Sequence, residues 1–401
     1  MIKLNNVLIK NYRSCLSTNL KLNHELTALI GANGVGKSNI LNSFLLLKKN
    51  RSQRFYFRFD DDDIISETRI FFDFLVNEMP YRARAVIFYE TDEKNQDNVV
   101  NYDLSVRQDK TGMTYHSIST ELIDSLKDHQ FYQITNGKFG KSISKEKITQ
   151  ESTAALELVQ LLESVSYYSA TQFSDPSRCP VSFEIEGQRR SIRKHKGPHE
   201  KFLVDLYELK NRNPEAYESF LNTVDEYGIG LISDIDFHEY DLPSSSYEIR
   251  TGGQVKQIHR DKKIIVPSVR IDNTTLSPNQ LSEGTFKTLA LIFYILSDTS
   301  DFLLIEEPEV CVHHGLLDSV LELILVKSSE KQIVISTHSD YVLDKLHYEN
   351  LVLVDRLSEQ GTRATPINKL LTRTDLIGLK DYLKNIGNLG DYWKEGGFDY
   401  D

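Results

Sequence analysis

From Lys3 to Lys10 polar and apolar residues alternate, which predicts a half-buried strand, and Leu20 to Leu22 forms a second short one. Leu26 to Ile30 (LTALI) is a bare apolar run that ends in glycine, the pattern of a buried strand. From Ser38 onward, Ile40, Leu41, Phe44, Leu45 and Lys48 follow helical spacing with one apolar face. Three alternating stretches, Ile70 to Val76, Arg84 to Tyr89 and Tyr102 to Val106, are separated by polar turn-forming segments and predict an antiparallel sheet.

The middle, Thr114 to Asp261, changes character, with helical patterns at Leu156 to Val165, Phe202 to Lys210 and Tyr217 to Tyr227. From Leu276 regularity returns. A loop opens a helix at Glu283 to Leu296, and Phe302 to Ile305 is a bare apolar strand. A helix over Leu316 to Val326 precedes a second apolar strand, Gln332 to Ser336. Short apolar runs alternating with helices predict an α/β fold whose parallel sheet is covered on both faces. The chain thus divides into three segments, residues 1–113, an insertion over 114–265, and 266–401. It has no internal repeat, no low-complexity linker and no heptad run long enough for an extended coiled coil.

Composition narrows the function classes. The 401 residues suffice for about two to three domains, or for one large domain with an insertion. Lys+Arg 47 against Asp+Glu 58 gives −11, which argues against a surface that coats nucleic acid as a whole. Asp60 to Asp63 concentrate negative charge in one loop. Two local basic stretches are compatible with a nucleic-acid groove: Arg189, Arg190, Arg193, Lys194, Lys196 and Lys201, and then Arg250, Lys256, Arg260, Lys262 and Lys263. Cys15, Cys179 and Cys311 are too scattered for a disulfide framework or a paired-cysteine metal site, so a reducing, cytoplasmic compartment is expected. No run reaches the roughly 18 apolar residues of a membrane span, and the start lacks a signal peptide's apolar core.

The segment Gly31-Ala32-Asn33-Gly34-Val35-Gly36-Lys37-Ser38 matches G-x-x-x-x-G-K-[ST] at every fixed position, between a buried strand and a helix start. Its glycines let successive N–H groups converge on one anion, Lys37 can reach the β- and γ-phosphates, and the Ser38 hydroxyl can ligate Mg²⁺. Phe302 to Pro308 is an apolar strand ending in two carboxylates, Glu306 and Glu307. One can hold a metal's water shell and the other can activate an attacking water, although a solvated helix start has the same appearance. Leu281-Ser282-Glu283-Gly284 opens a helix as an anion seat or as a plain cap. His338, after the second apolar strand, can sense a γ-phosphate or can be an ordinary surface histidine.

Taken in this order, the four pieces resemble the ABC-type ATPases of the SMC, RecF and OLD-nuclease group. Gly31 to Ser38 resembles Walker A, with Asn33, Gly34, Gly36, Lys37, Ser38 and the adjoining Asn39 around the nucleotide. Leu281 to Gly284 is similar to the signature motif, Leu303 to Glu307 to Walker B, and Thr337-His338 to the switch histidine. Asn11-Tyr12-Arg13-Ser14 is similar to the opening motif whose arginine, here Arg13, lies near the nucleotide. The resemblance implies an SMC-like head, a phosphate-loop parallel sheet with a flanking antiparallel β lobe, carrying a mixed helical insertion. It implies ATP and Mg²⁺, Glu307, Lys37 and His338 as catalytic residues, and Ser38 and Glu306 beside the metal. Glu306 stands where many members have Asp, one methylene shorter. No Q-loop is evident; Gln172 is the candidate.

The group's geometry further implies a homo-oligomer, in which ATP is sandwiched between one copy's Walker motifs and Ser282 and Gly284 of another. OLD-like nucleases carry a Toprim domain; the 63 residues after His338 (401 − 338) are too few for one. His313-His314 lacks the companions of an HNH centre and is read as a dimer contact. The leading expectation is therefore an ATPase platform for a separate nuclease or toxin effector in anti-phage defence. A RecF-like DNA-repair ATPase and an ATP-binding scaffold are the alternatives. In the tail, Leu376, Leu379, Leu383 and Ile386 form one helical face before Gly387, and Tyr392, Trp393 and Phe398 either anchor a partner or fold back on the chain.

Overall fold

The computed structural model describes residues 2–48, 58–60, 63–65, 67–91, 98–110, 114–118, 150–186, 197–249, 255–310, 312, 314–359 and 361–398. The chain divides into two compact units. The first comprises Met1–Tyr167, Ser300–Glu307 and Ile324–Asp401; the second comprises Tyr168–Thr299 and Pro308–Leu323. This division departs from the expected boundaries at 113 and 265. The helix Gln150–Ser164 stays with the first unit because its apolar face joins that unit's core, and the helix Glu283–Ser297 belongs to the second.

In chain order, β1 (Ile2–Tyr12) and β2 (Cys15–Lys21) form a hairpin closed by Arg13-Ser14. β3 (Leu26–Ile30), with all five residues buried, leads through the glycine-rich loop into α1 (Lys37–Ser43). α1 is shorter than its periodicity predicts, because the amides of Phe44, Leu45 and Leu46 bond three residues back and tighten the chain into turns. The short pair β4 (Arg58–Asp60) and β5 (Asp63–Ile65) follows; Asp61 and Asp62 of the acidic loop lie outside the described residues. β6 (Glu67–Val76), β7 (Met79–Thr91), β8 (Asn98–Gln108) and β9 (His116–Ile118) come next, then α2 (Gln150–Ser164) and β10 (Ser166–Ser169).

The second unit contains β11 (Phe183–Glu186), α3 (Pro198–Arg212), α4 (Pro214–Val224), β12 (Asp234–Ile249), β13 (Val255–Ile271), β14 (Thr274–Leu276) and α5 (Glu283–Ser297). The remaining elements are β15 (Phe302–Glu306), α6 (His314–Ser328), β16 (Gln332–Thr337), α7 (Asp340–Asp344), β17 (Leu351–Leu357), β18 (Gly361–Pro366), α8 (Ile367–Leu370), α9 (Arg373–Asn385) and α10 (Leu389–Lys394).

Two six-stranded sheets build the first unit. One, in the order β2-β1-β6-β7-β8-β9, is antiparallel throughout, as the alternating stretches predicted. The other runs β10-β15-β16-β3-β17-β18, and β15, β16, β3 and β17 are mutually parallel. One continuous core joins the inward side chains of both sheets with the apolar faces of α1 and α2. Phe44, the C-cap of α1, meets Phe302 of β15 at 5.1 Å between ring centroids, so the strand that ends in carboxylates is packed against the end of the helix that follows the phosphate loop.

The second unit is less helical than the insertion was expected to be, because its longest elements are the paired strands β12 and β13. Its core is aromatic. Phe286 of α5 meets Phe202 at 5.5 Å and His199 at 5.3 Å, and Phe173 lies 6.3 Å away. Of the basic residues singled out, Lys262 bonds Glu184 and Lys263 bonds Glu239, each at 2.7 Å, and Lys201 pairs with Asp205. Arg189, Arg190, Arg193, Lys194, Lys196 and Arg250 lie outside the described residues.

The tail folds back. Phe398 is buried against Tyr392, which also packs on Tyr382, and the Gly390 amide donates to Asp344 of α7. On α9 only Leu379 is buried among the predicted face, and Ile386 is 75% exposed. Among the described residues no helix is long and apolar enough to cross a membrane.

Candidate functional site

The register of the parallel strands assembles the first unit's candidate residues on one edge. Glu306 pairs with Ser336, Ser336 with Leu29, and Thr337 with Ile30. The residues that leave those strands are Glu307, His338 and Gly31, so three chain segments emerge side by side at the carboxyl ends of a parallel sheet, where such sheets place their ligands. The strands are buried almost to their last residue, so their apolar runs leave little freedom in where these polar side chains emerge.

In the loop after β3, Gly31, Gly34 and Gly36 have φ values of 147°, 81° and 113°, a curled path that side chains with a Cβ resist. A Cβ on Gly31 would meet the Val354 carbonyl oxygen at 2.2 Å, whereas one on Gly34 would meet nothing within 4 Å. Gly31 is therefore required by packing, and Gly34 lies on the open side of the loop. Lys37 is only 6% exposed, and its ammonium donates to the carbonyls of Gly31 at 2.7 Å and Ala32 at 2.9 Å. It spans the loop it is expected to serve. Among the described residues no side chain caps α1, and no acid occupies its first turn. Asn33 and Ser38 are exposed; Asn39 accepts from Arg13 at 3.1 Å and donates to Ser14 at 2.7 Å. Arg13 itself has φ 51°, imposed by the tight β1–β2 turn that presents it.

On β15 the paired glutamates stand at a strand end and not at a helix start. Glu306 is the last strand residue, and no helix begins there. Glu307 adopts φ 49°, a left-handed conformation costing a side-chain-bearing residue about 1–2 kcal/mol, while its amide donates to the Ser336 carbonyl at 2.9 Å. Its carboxylate lies 3.5 Å from Nδ1 of His338. Strain at this position turns Glu307 off the strand path toward the histidine. Glu306 accepts from the Tyr167 hydroxyl at 2.5 Å, a partner that no motif flagged. Its only sequence hint was a tyrosine on a short strand beside β15. Ser14, which bridges toward the phosphate loop, was likewise missed as a side chain in its own right.

Ser282 and Gly284 belong to the second unit, at the start of α5. Ser282 accepts from the Thr285 amide at 3.1 Å, so in this structure it acts as the helix cap. Lys287, deep in α5 and 2% exposed, pairs with Glu283 at 2.6 Å; this ion pair holds the Glu283 carboxyl below its ordinary range. Gln172 is half-buried in the second unit's 3₁₀ turn Ala170–Phe173. His313 lies outside the described residues, and His314 begins α6.

Among the described residues no group of three or more His, Cys, Asp or Glu is placed to hold a metal alone. The first unit's oxygen donors, the Ser38 hydroxyl and the Glu306 carboxylate, suit a hard cation that takes its other ligands from phosphate and water. Mg²⁺ with a nucleoside triphosphate therefore fits this donor set.

Residues 26–344 match the family model described as "AAA domain, putative AbiEii toxin, Type IV TA system", a span that contains the four motifs from Gly31 to His338. No curated protein matches the chain significantly. Among solved structures, the SMC head domain from Thermotoga maritima is similar at 12% identity, over 91% of this chain and 98% of that one, with a TM-score of 0.39. An Smc head bound to the C-winged helix domain of ScpA is 13% identical over 94% and 99% of the two chains, TM-score 0.45. An Smc head with an extended coiled coil, bound to the C-terminal domain of ScpA derived from Pyrococcus furiosus, is 13% identical over 96% and 100%, TM-score 0.44.

Proposed function

The chain belongs to the AAA-domain family that its residues 26–344 match, and from that premise we propose that it binds ATP with Mg²⁺ and hydrolyses it at the edge formed by β3, β15 and β16. The observation that carries this reading is the Glu307–His338 approach of 3.5 Å on the same sheet edge as the Lys37 loop. A chain that only bound nucleotide would have no use for a strained carboxylate aimed there. The scaffold reading is the weaker for it.

Lys37 and the loop amides bind the β- and γ-phosphates; Glu307 takes the proton of the attacking water, and His338 orients that carboxylate. Ser38 and Glu306 would hold Mg²⁺, which would supply neutralisation of the phosphate charge. Ser282 and Gly284 belong to a different unit from these groups. We assign them to the ATP held by a second copy of the chain, so that two copies close on ATP and part after hydrolysis.

The matched family's own description, "putative AbiEii toxin, Type IV TA system", places it in a toxin–antitoxin context; within that context we read the chain as the ATPase that governs a separate nuclease or toxin effector in bacterial defence. Lys201, Lys262 and Lys263 are each engaged by a carboxylate, which weighs against a DNA-binding groove that uses them. Sedimentation with and without ATP tests the core of the proposal. Mg-ATP should drive assembly, and Glu307→Gln should keep the assembly closed. A monomer indifferent to ATP in both proteins overturns the sandwich.

A further inference from the structure

Beyond the motif residues, one side chain from the far end of the sequence reaches the phosphate loop. Thr362, on β18 and 1% exposed, places Oγ1 2.7 Å from the Val35 carbonyl and 2.7 Å from Ser14 Oγ. Its backbone is fixed at both ends: its amide donates to the Ser14 carbonyl at 2.8 Å, and its carbonyl accepts from the Thr18 hydroxyl at 2.5 Å. The loop is shaped around it, since a Cβ on Gly36 would stand 2.1 Å from Thr362 Oγ1.

The proton inventory gives these contacts a direction. A hydroxyl has one hydrogen, and the Val35 carbonyl can only accept, so the Thr362 proton goes to Val35. Ser14 then donates to Thr362, and is left to accept from Asn39 Nδ2 at 2.7 Å. Asn39 Oδ1 in turn accepts from Arg13 at 3.1 Å. The chain runs one way, from Arg13 through Asn39, Ser14 and Thr362 to the Val35 carbonyl.

Its last link sets a peptide plane. In a trans peptide the C=O and the following N–H point in opposite directions. Holding the Val35 carbonyl on Thr362 therefore turns the Gly36 N–H away from β18, and Gly36 is a loop residue whose φ of 113° leaves that plane otherwise easy to flip.

We propose that Thr362 is a positioning residue for the phosphate loop, fixing the Val35–Gly36 peptide so that the Gly36 amide is presented to the nucleotide's phosphates. The inference rests on the nucleotide reading given above and specifies how that loop is preorganised.

The test titrates the fluorescent analogue mant-ATP, with Mg²⁺, into the full chain. Thr362→Val, which keeps the shape and removes the donor, should weaken binding about tenfold, and Thr362→Ser should restore it. Ser14→Ala, which removes the donor that orients the Thr362 hydroxyl, should weaken binding about threefold. If Thr362→Val fails to fold, the Ser14→Ala and Thr362→Ser affinities decide. Wild-type affinity in Thr362→Val, or in Ser14→Ala should the valine variant not fold, overturns the positioning role. A wild-type chain that ignores mant-ATP instead removes the nucleotide reading beneath it.

Discussion

The edge of the first unit's parallel sheet and the interior of the second unit place their polar groups by opposite means. On the edge, Glu306, Glu307 and His338 leave strands that are buried nearly end to end, and one of them is held in a strained conformation. In the second unit, His199 and Lys287 are buried, 5% and 2% exposed, His199 stacked on Phe286 and Lys287 paired with Glu283 of its own helix. Changes at the edge should alter chemistry and spare the fold, and changes in the aromatic interior should do the reverse.

The largest effect is expected at Glu307. Glu307→Gln should lower ATP turnover on the order of a thousandfold, the weight of a general base, with little change in unfolding temperature. Glu307→Gly is the sharper version. Glycine tolerates φ 49°, so the variant should lose turnover equally and yet gain up to about 1 kcal/mol of stability, read by chemical denaturation. A Glu307→Gly protein less stable than wild type would break the contrast, because Glu307 would then be serving the fold.

In the second unit, Phe286→Ala should cost about 3 kcal/mol, since a fully buried ring with three aromatic neighbours leaves a cavity. Trp393 is the sole tryptophan and lies in the first unit, so its fluorescence follows that unit alone while circular dichroism follows both. The expected outcome is an earlier dichroism transition with the fluorescence midpoint unmoved. A common shift of both signals would show that the two units do not hold their stability separately.

A smaller effect separates Tyr167 from the motifs. Tyr167→Phe removes the hydroxyl that restrains Glu306 while leaving its ring, so the Mg²⁺ concentration needed for half-maximal mant-ATP binding should rise several-fold, up to about tenfold. An unchanged Mg²⁺ requirement would mean that the Tyr167 contact does not prepare the metal site.

The sequence disclosed the edge well and the second unit poorly, for a physical reason. Leu26–Ile30, Phe302–Ile305 and Gln332–Ser336 are apolar runs with polar residues directly after them, so strand, terminus and site are one local pattern. The side chains that tune the site were not local. Tyr167 reaches Glu306 across 139 positions and Thr362 reaches Val35 across 327, and nothing in either neighbourhood signals its target. The long strands β12 and β13 carry many charged and small polar residues, and several of those charges pair across strands, so no apolar period announced them. The tail reads as an amphipathic helix because Leu376, Leu379 and Leu383 share a face. Only the structure distinguishes the buried Leu379 from the exposed Ile386.

The smallest predicted effect concerns pH. Burial holds the His199 imidazole below its ordinary titration range; contacts with the Ser174 and Phe173 backbone oppose this without reversing it. His199 is stacked on Phe286 and edge-on to Phe173, so the folded unit favours the neutral ring, whereas the unfolded chain takes up a proton near pH 6.5. A group whose pKa is lower in the folded state supports the fold above its unfolded value and withdraws that support as pH falls below it. The dichroism midpoint attributed to the second unit should therefore decline as pH falls below about 6.5, and His199→Phe should flatten that decline. The Trp393 midpoint should be insensitive to His199→Phe throughout. If the variant instead flattens the Trp393 profile, the histidine's influence extends into the first unit, and the separation of chemistry from packing drawn between the two regions does not hold at this residue.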